Sequence, residues 1–120
     1  MILIIGGAHQ GKLEFAKETF GLTDEDIHIC GTGDIDFFKR CIYGVEEFTW
    51  GHPDPKAYFM EHRDQWENSI LILRDVFCGV VPLDRGQRDW REHVGRVCCD
   101  LAAQADTVVR VCCGIGQVLK

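Results

Sequence analysis

The feature that most constrains the fold is an abrupt change of pattern at the start of the chain. The apolar run Met1-Ile2-Leu3-Ile4-Ile5 gives way to Gly6-Gly7-Ala8-His9-Gln10-Gly11-Lys12-Leu13, and a helical pattern follows. A β-branched run closed by a glycine pair reads as a buried strand. From Lys12, the residues Leu13, Ala16 and Phe20 recur at i, i+3 and i+7, which predicts a short amphipathic helix stopped by Gly21. The loop between them fits G-x-x-x-x-G-K and then departs from the pattern, because Leu13 stands where Ser or Thr is expected. Backbone N–H groups of such a turn can converge on phosphate oxygens, and the helix N-terminus faces the same anion. Lys12 would reach the terminal phosphates as a point charge. Gly6, Gly7, Ala8, His9, Gln10, Gly11, Lys12 and Leu13 are therefore the candidate nucleotide phosphate-binding residues. Leucine offers no oxygen to a metal, so Mg²⁺ coordination is weakened here.

The rest of the chain alternates strand-like and helix-like segments. Ile27–Cys30 reads as a second strand, closed by Gly31-Thr32-Gly33. Asp34 is placed as the cap of a helix whose apolar face is Ile35, Phe38, Cys41 and Ile42, ending at Gly44. Residues 45–53 read as an irregular connection anchored by Phe48 and Trp50. Asp54-Pro55 starts a helix carrying Tyr58, Phe59, His62 and Trp66 on one face. Ser69–Leu73 is a strand buried on both faces, ending at Arg74-Asp75. After the loop at 79–83, Trp90, Val94, Val97, Cys98, Leu101 and Ala105 form one helical stripe. Thr107–Cys112 is a further strand; Cys113–Gly116 turns, and Gln117–Lys120 returns as a short antiparallel edge strand. This alternation predicts an α/β fold of one domain over residues 1–120, with a mostly parallel sheet covered on both faces. Ligands in such folds sit at the carboxyl ends of the strands. That makes the loops after residues 5, 30, 73 and 112 the candidate site edge. Asp75 sits where a metal-organising carboxylate is expected in a phosphate-loop fold, or is simply a strand-end acid in a turn.

Composition narrows the partners. A chain of 120 residues with net charge −6 disfavours nucleic acid, since its basic cluster (Arg85, Arg88, Arg91, Arg96) is interleaved with Asp84, Asp89 and Glu92. No apolar run approaches a bilayer span, and the opening residues lack the basic leader of a signal sequence. A cytoplasmic protein without a membrane partner is expected. Seven cysteines, an odd number including the pairs 98–99 and 112–113, oppose a disulfide framework, and no zinc-type spacing occurs. Neighbouring cysteines point about 100° apart in a helix and to opposite faces in a strand. The thiols are therefore expected to be small buried hydrophobes, not a metal or redox centre built on Cys30, Cys112 or Cys113.

Two stretches carry a family resemblance. Met1–Ala16 (MILIIGGAHQGKLEFA) resembles the opening strand, phosphate loop and first helix of the adenosylcobinamide kinase/adenosylcobinamide-phosphate guanylyltransferase family. Asp75–Lys120 resembles that family's ending: an acid-Val/Ile-Gly stretch, G-I-V-P, an arginine-rich F-R-D-x-x-G-R helix, L-A-A-x-A-D and a closing G-I-G-x-x-x-K. The resemblance implies a three-layer α/β fold of phosphate-loop NTPase-like topology that takes GTP or ATP and acts on a cobinamide-type corrinoid. By position, Gly6, Gly11 and Lys12 would contact phosphates, and Asp75 stands where the family usually has Glu. Self-association is also implied. The chain differs in Leu13, in Phe77 where a glycine follows the acid-Val pair, and in a middle too short to show the family's guanylylated histidine segment. His52, His9 and His93 are assigned no catalytic role, and no catalytic residue is named. Two readings stay open: a nucleotide-dependent kinase/guanylyltransferase, and a catalytically inactive nucleotide- or phosphate-binding relative with a regulatory or binding role.

Overall fold

The structure, a computed structural model, describes residues 1–76 and 80–120. Phe77, Cys78 and the first residue of the 79–83 loop lie outside the described residues. Six strands form one sheet: β1 (Ile2–Gly6), β2 (Ile27–Ile29), β3 (Cys41–Tyr43), β4 (Ile70–Arg74), β5 (Thr107–Cys112) and β6 (Ile115–Val118). Their spatial order is β2-β3-β4-β1-β5-β6. All neighbouring pairs are parallel except β5–β6, the antiparallel edge. The mostly parallel α/β sheet read from the sequence is thus the observed one, with one strand more.

Alternation along the strands sorts side chains into two cores. Leu3, Leu71, Leu73, Ile42 and Val108 face one side. There they meet α2 (Val45–Gly51), α3 (Pro55–Glu61), α4 (Arg63–Trp66) and α5 (Arg85–Gln104) through Phe48, Phe59, Trp66, Val94, Val97 and Leu101. Ile4, Cys41, Ile70, Ile72, Val109 and Val111 face the other side and are covered by α1 (Lys12–Phe20) with Ala16, Leu13 and Phe20. Helices on both faces of the sheet make three layers. The α5 stripe is the expected one, with Val94, Val97, Cys98 and Leu101 buried along it. Asp54 caps α3, its Oδ1 accepting from the Ala57 amide at 3.1 Å.

Two expectations fail between residues 34 and 53. The segment capped by Asp34 is not a helix. Asp36 Oδ1 accepts from the Phe38 amide at 3.0 Å, a local side-chain turn that competes with helix formation. Phe38 is fully exposed, and Phe37 enters the core instead. Cys41-Ile42-Tyr43 is strand β3, inserted between β2 and β4, with Cys41 and Ile42 fully buried on opposite faces. The spacing of Ile35, Phe38, Cys41 and Ile42 fits a helix and not a strand; pairing of residues 41–43 between two strands overrides it. The second failure is the irregular connection. Residues 45–51 form α2, which starts after Gly44 at φ +81 and buries Phe48, while Trp50 stays 54% exposed.

Candidate functional site

The glycine-rich loop joins β1 to α1 at the carboxyl edge of the sheet. Gly6 is required by packing: a Cβ there would lie 2.4 Å from the Val111 carbonyl oxygen on β5. Gly11 adopts φ +85, and His9 also takes a left-handed conformation at φ +58. Gly11 is the N-cap of α1 and brings no side chain, so the first-turn amides of the helix meet no capping group. A hollow of ≈ 350 Å³ at this end of the helix is lined by His9, Gln10, Gly11, Lys12, Leu13, Glu14 and Tyr43. Lys12 is buried, and its Nζ donates to the Gly7 carbonyl at 2.5 Å. Burial is the main cause holding its ammonium below the ordinary lysine value; the nearby Glu46, Asp75 and Glu14 pull it back up.

Across Lys12 lies a second, acidic corner that the sequence reading missed. Glu46, at the start of α2, is buried. One of its oxygens accepts from the Arg74 amide at 2.9 Å, and the other lies 3.9 Å from Arg74 Nε. The Arg74 guanidinium also bonds Glu47 at 3.3 Å and lies over the Trp90 ring, 6.0 Å from its centroid. Trp90 Nε1 in turn donates to the Glu46 carbonyl at 2.9 Å and to Thr49 Oγ1 at 3.0 Å, tying α5 to α2. Ala8, His9, Lys12, Tyr43, Glu46, Glu47 and Arg74 line a smaller hollow of ≈ 180 Å³. Recognising β3 would have exposed this signal, since Gly44-Val45-Glu46 then follows a strand end.

Of the candidate residues, Gly6 to Leu13 span the junction from the end of β1 through the loop to the start of α1, and Asp75 lies beside it, its amide donating to the Gly6 carbonyl at 3.0 Å. Leu13 packs against the second core. The loop after β5 also arrives here, with the Cys113 amide donating to Gln10 Oε1 at 2.7 Å and the Gly114 amide to the Gln10 carbonyl at 2.8 Å. His52 stacks on Phe48 and its Nδ1 accepts from the Asp54 amide at 3.1 Å, the arrangement of a histidine at a helix start. His93 is exposed on α5. The donor set for Mg²⁺ is thin: Leu13 has no oxygen, Glu46 is engaged by Arg74, and no group of three His, Cys, Asp or Glu suited to a metal occurs among the described residues.

The expectation that the thiols are buried holds for Cys30, Cys41 and Cys98 and fails for Cys99, Cys112 and Cys113, which are exposed. Burial pushes Cys30 and Cys41 up to about 12 and Cys98 to about 11. The expectation that Cys112 and Cys113 point to opposite faces also fails. The strand ends at Cys112, and Cys113 turns at φ +53, which leaves their sulfurs 4.0 Å apart.

Among the described residues no helix is long and apolar enough to cross a membrane. No curated protein matches the chain significantly. The family described as cobinamide kinase / cobinamide phosphate guanyltransferase matches residues 54–119, from the start of the α3 segment through β6. The match covers more than half of the 120 residues and leaves the glycine-rich loop outside it. With a three-layer, mostly parallel sheet of the kind that resemblance implies, the chain belongs to the cobinamide kinase / cobinamide phosphate guanyltransferase family.

Proposed function

We propose that this chain, as one nucleotide-binding unit over residues 1–120, holds the triphosphate of GTP or ATP in the loop at residues 6–13 and transfers a phosphoryl or nucleotidyl group to a cobinamide-type corrinoid. One observation carries the reading: a helix N-terminus capped only by Gly11 faces an open hollow, with the buried Lys12 ammonium parked on the Gly7 carbonyl. An arriving phosphate supplies Lys12 with a better partner than a neutral carbonyl, because two opposite charges attract more strongly than a charge and a dipole. Desolvation that now disfavours the Lys12 charge then works for the complex. Phosphoryl transfer depends mostly on positioning and electrostatics, which a loop of this kind provides without a dedicated covalent step. Asp75 is the carboxylate assigned to a phosphate-bound Mg²⁺. Since Leu13 supplies no hydroxyl, metal is expected to add little to affinity.

A second reading, binding without turnover, is favoured by Leu13 lying against the core and by Arg74 occupying Glu46. Titration calorimetry with GTP and ATP, with and without Mg²⁺, tests the shared claim. Wild type should bind, and Lys12→Ala should weaken binding about 10- to 100-fold, the value of one charge-assisted hydrogen bond. Equal affinity of the two proteins would refute the assignment. Label transfer from GTP to cobinamide then separates the readings: transfer supports the enzyme, and binding with no transfer at saturating nucleotide and metal supports the inactive relative.

A further inference from the structure

The last residue of β5 and the first of the turn after it carry two adjacent, exposed thiols that the proposed nucleotide site does not use. Cys113 sits at φ +53, and its sulfur lies 4.0 Å from that of Cys112. The turn is held in place, since Gln10 accepts from the Cys113 and Gly114 amides through its side chain and its carbonyl, at 2.7 and 2.8 Å. Two soft donors are thus fixed side by side on the surface.

A direct S–S bond is a poor use of this pair. Adjacent Cα atoms are about 3.8 Å apart, short of the roughly 4.4–6.8 Å that an unstrained disulfide spans. A bridging atom meets no such limit. With bonds to sulfur of about 2.3 Å, two sulfurs sit about 3.8 Å apart at a tetrahedral angle and about 3.4 Å apart at the narrower angle of a pyramidal trivalent centre, so bridging asks the pair to close by only a few tenths of an ångström from the 4.0 Å seen here. A divalent ion would still need two further ligands, and no His, Cys, Asp or Glu trio suited to a metal is assembled among the described residues. A trivalent organoarsenical brings its own third substituent and needs only two thiolates.

We infer that Cys112 and Cys113 form a bidentate capture site for a thiophilic trivalent centre of the type R–As(III). In the capture of R–As=O, two As–S bonds form while both S–H bonds and the As–O bonds break. The oxygen leaves as water with the two thiol protons, and no electrons are exchanged. The site borders the phosphate loop, but it stands or falls without nucleotide binding.

The test is mass spectrometry of the full chain treated with phenylarsine oxide. One adduct per chain is expected, resistant to excess 2-mercaptoethanol and released by a dithiol, and carried on the tryptic peptide that follows Arg110. Cys112→Ser and Cys113→Ser should each weaken the adduct about a hundredfold, the usual loss when a two-point attachment becomes one-point. Cys99→Ser, on the exposed face of α5, should leave it unchanged. An adduct that survives both serine substitutions, maps to another peptide, or is stripped by the monothiol would overturn the inference, as would no adduct on wild type.

Discussion

Two corners meet at Lys12, and they are built on opposite principles. On one side, the turn from Gly6 to Gly11 presents backbone donors and a bare helix N-terminus. On the other, Glu46 and Glu47 present carboxylates, held by the Arg74 guanidinium and, for Glu46, by the Arg74 amide as well. The first corner has unspent donors, whereas the second has its acceptors engaged within the protein. On the proposed function the anion goes to the first, and in the second Arg74 offsets the acids beside Lys12. Under that proposal a net charge of −6 is no obstacle to a phosphate, because exposed charges are screened within about 10 Å in ordinary salt and local donor geometry decides.

Four experiments would sharpen or break this contrast. The largest effect is expected at Gly6, where any Cβ meets the Val111 carbonyl at 2.4 Å. Gly6→Ala should destabilise the fold by about 3 kcal/mol, the upper range for overpacking, read as a lower denaturation midpoint with unchanged slope. A neutral Gly6→Ala would mean that the loop and β5 are not in close contact. Next, Arg74→Met leaves buried Glu46 without its guanidinium. A loss of about 1–2 kcal/mol of stability is expected, with nucleotide affinity reduced several-fold as the freed acids face the phosphate. Tighter nucleotide binding in that variant would reverse the roles assigned to the two corners.

Leu13→Ser restores an oxygen at the first turn of α1. It should make Mg²⁺ matter, with affinity for GTP or ATP rising about 3- to 10-fold on adding metal, against little change in wild type. The smallest effect is a pH dependence. Because Lys12 lies below the ordinary lysine value when folded, its charge is lost earlier as pH rises. Nucleotide affinity should fall on the alkaline side before ordinary lysines titrate. In the same window the unfolded chain binds more protons than the folded one, so this residue alone makes the nucleotide-free protein more stable with rising pH. Affinity that holds flat until free lysine titrates would show that Lys12 is not buried in solution.

Much of this was legible in the residues. The β1–loop–α1 unit was readable because a strand, a glycine turn and a helical repeat are each strong local signals in an unbroken row. Helix α5 was readable because a stripe from Trp90 to Ala105 is too long to be accidental. What could not be read was decided by distant partners. Cys41-Ile42-Tyr43 became a strand because β2 and β4 flank it, and the period of three residues carries no such information. Glu46 was hidden behind that error. The Cys112–Cys113 pair was misread for a different reason: alternation holds inside a strand, and the strand ends one residue sooner than the pair does.

The most direct test is a crystal of the wild-type chain soaked in millimolar guanosine or adenosine triphosphate. The account predicts phosphate oxygens against the amides at the start of α1, with Lys12 Nζ moved off the Gly7 carbonyl onto the anion. A hollow left empty, with Lys12 still bonded to Gly7, would contradict it.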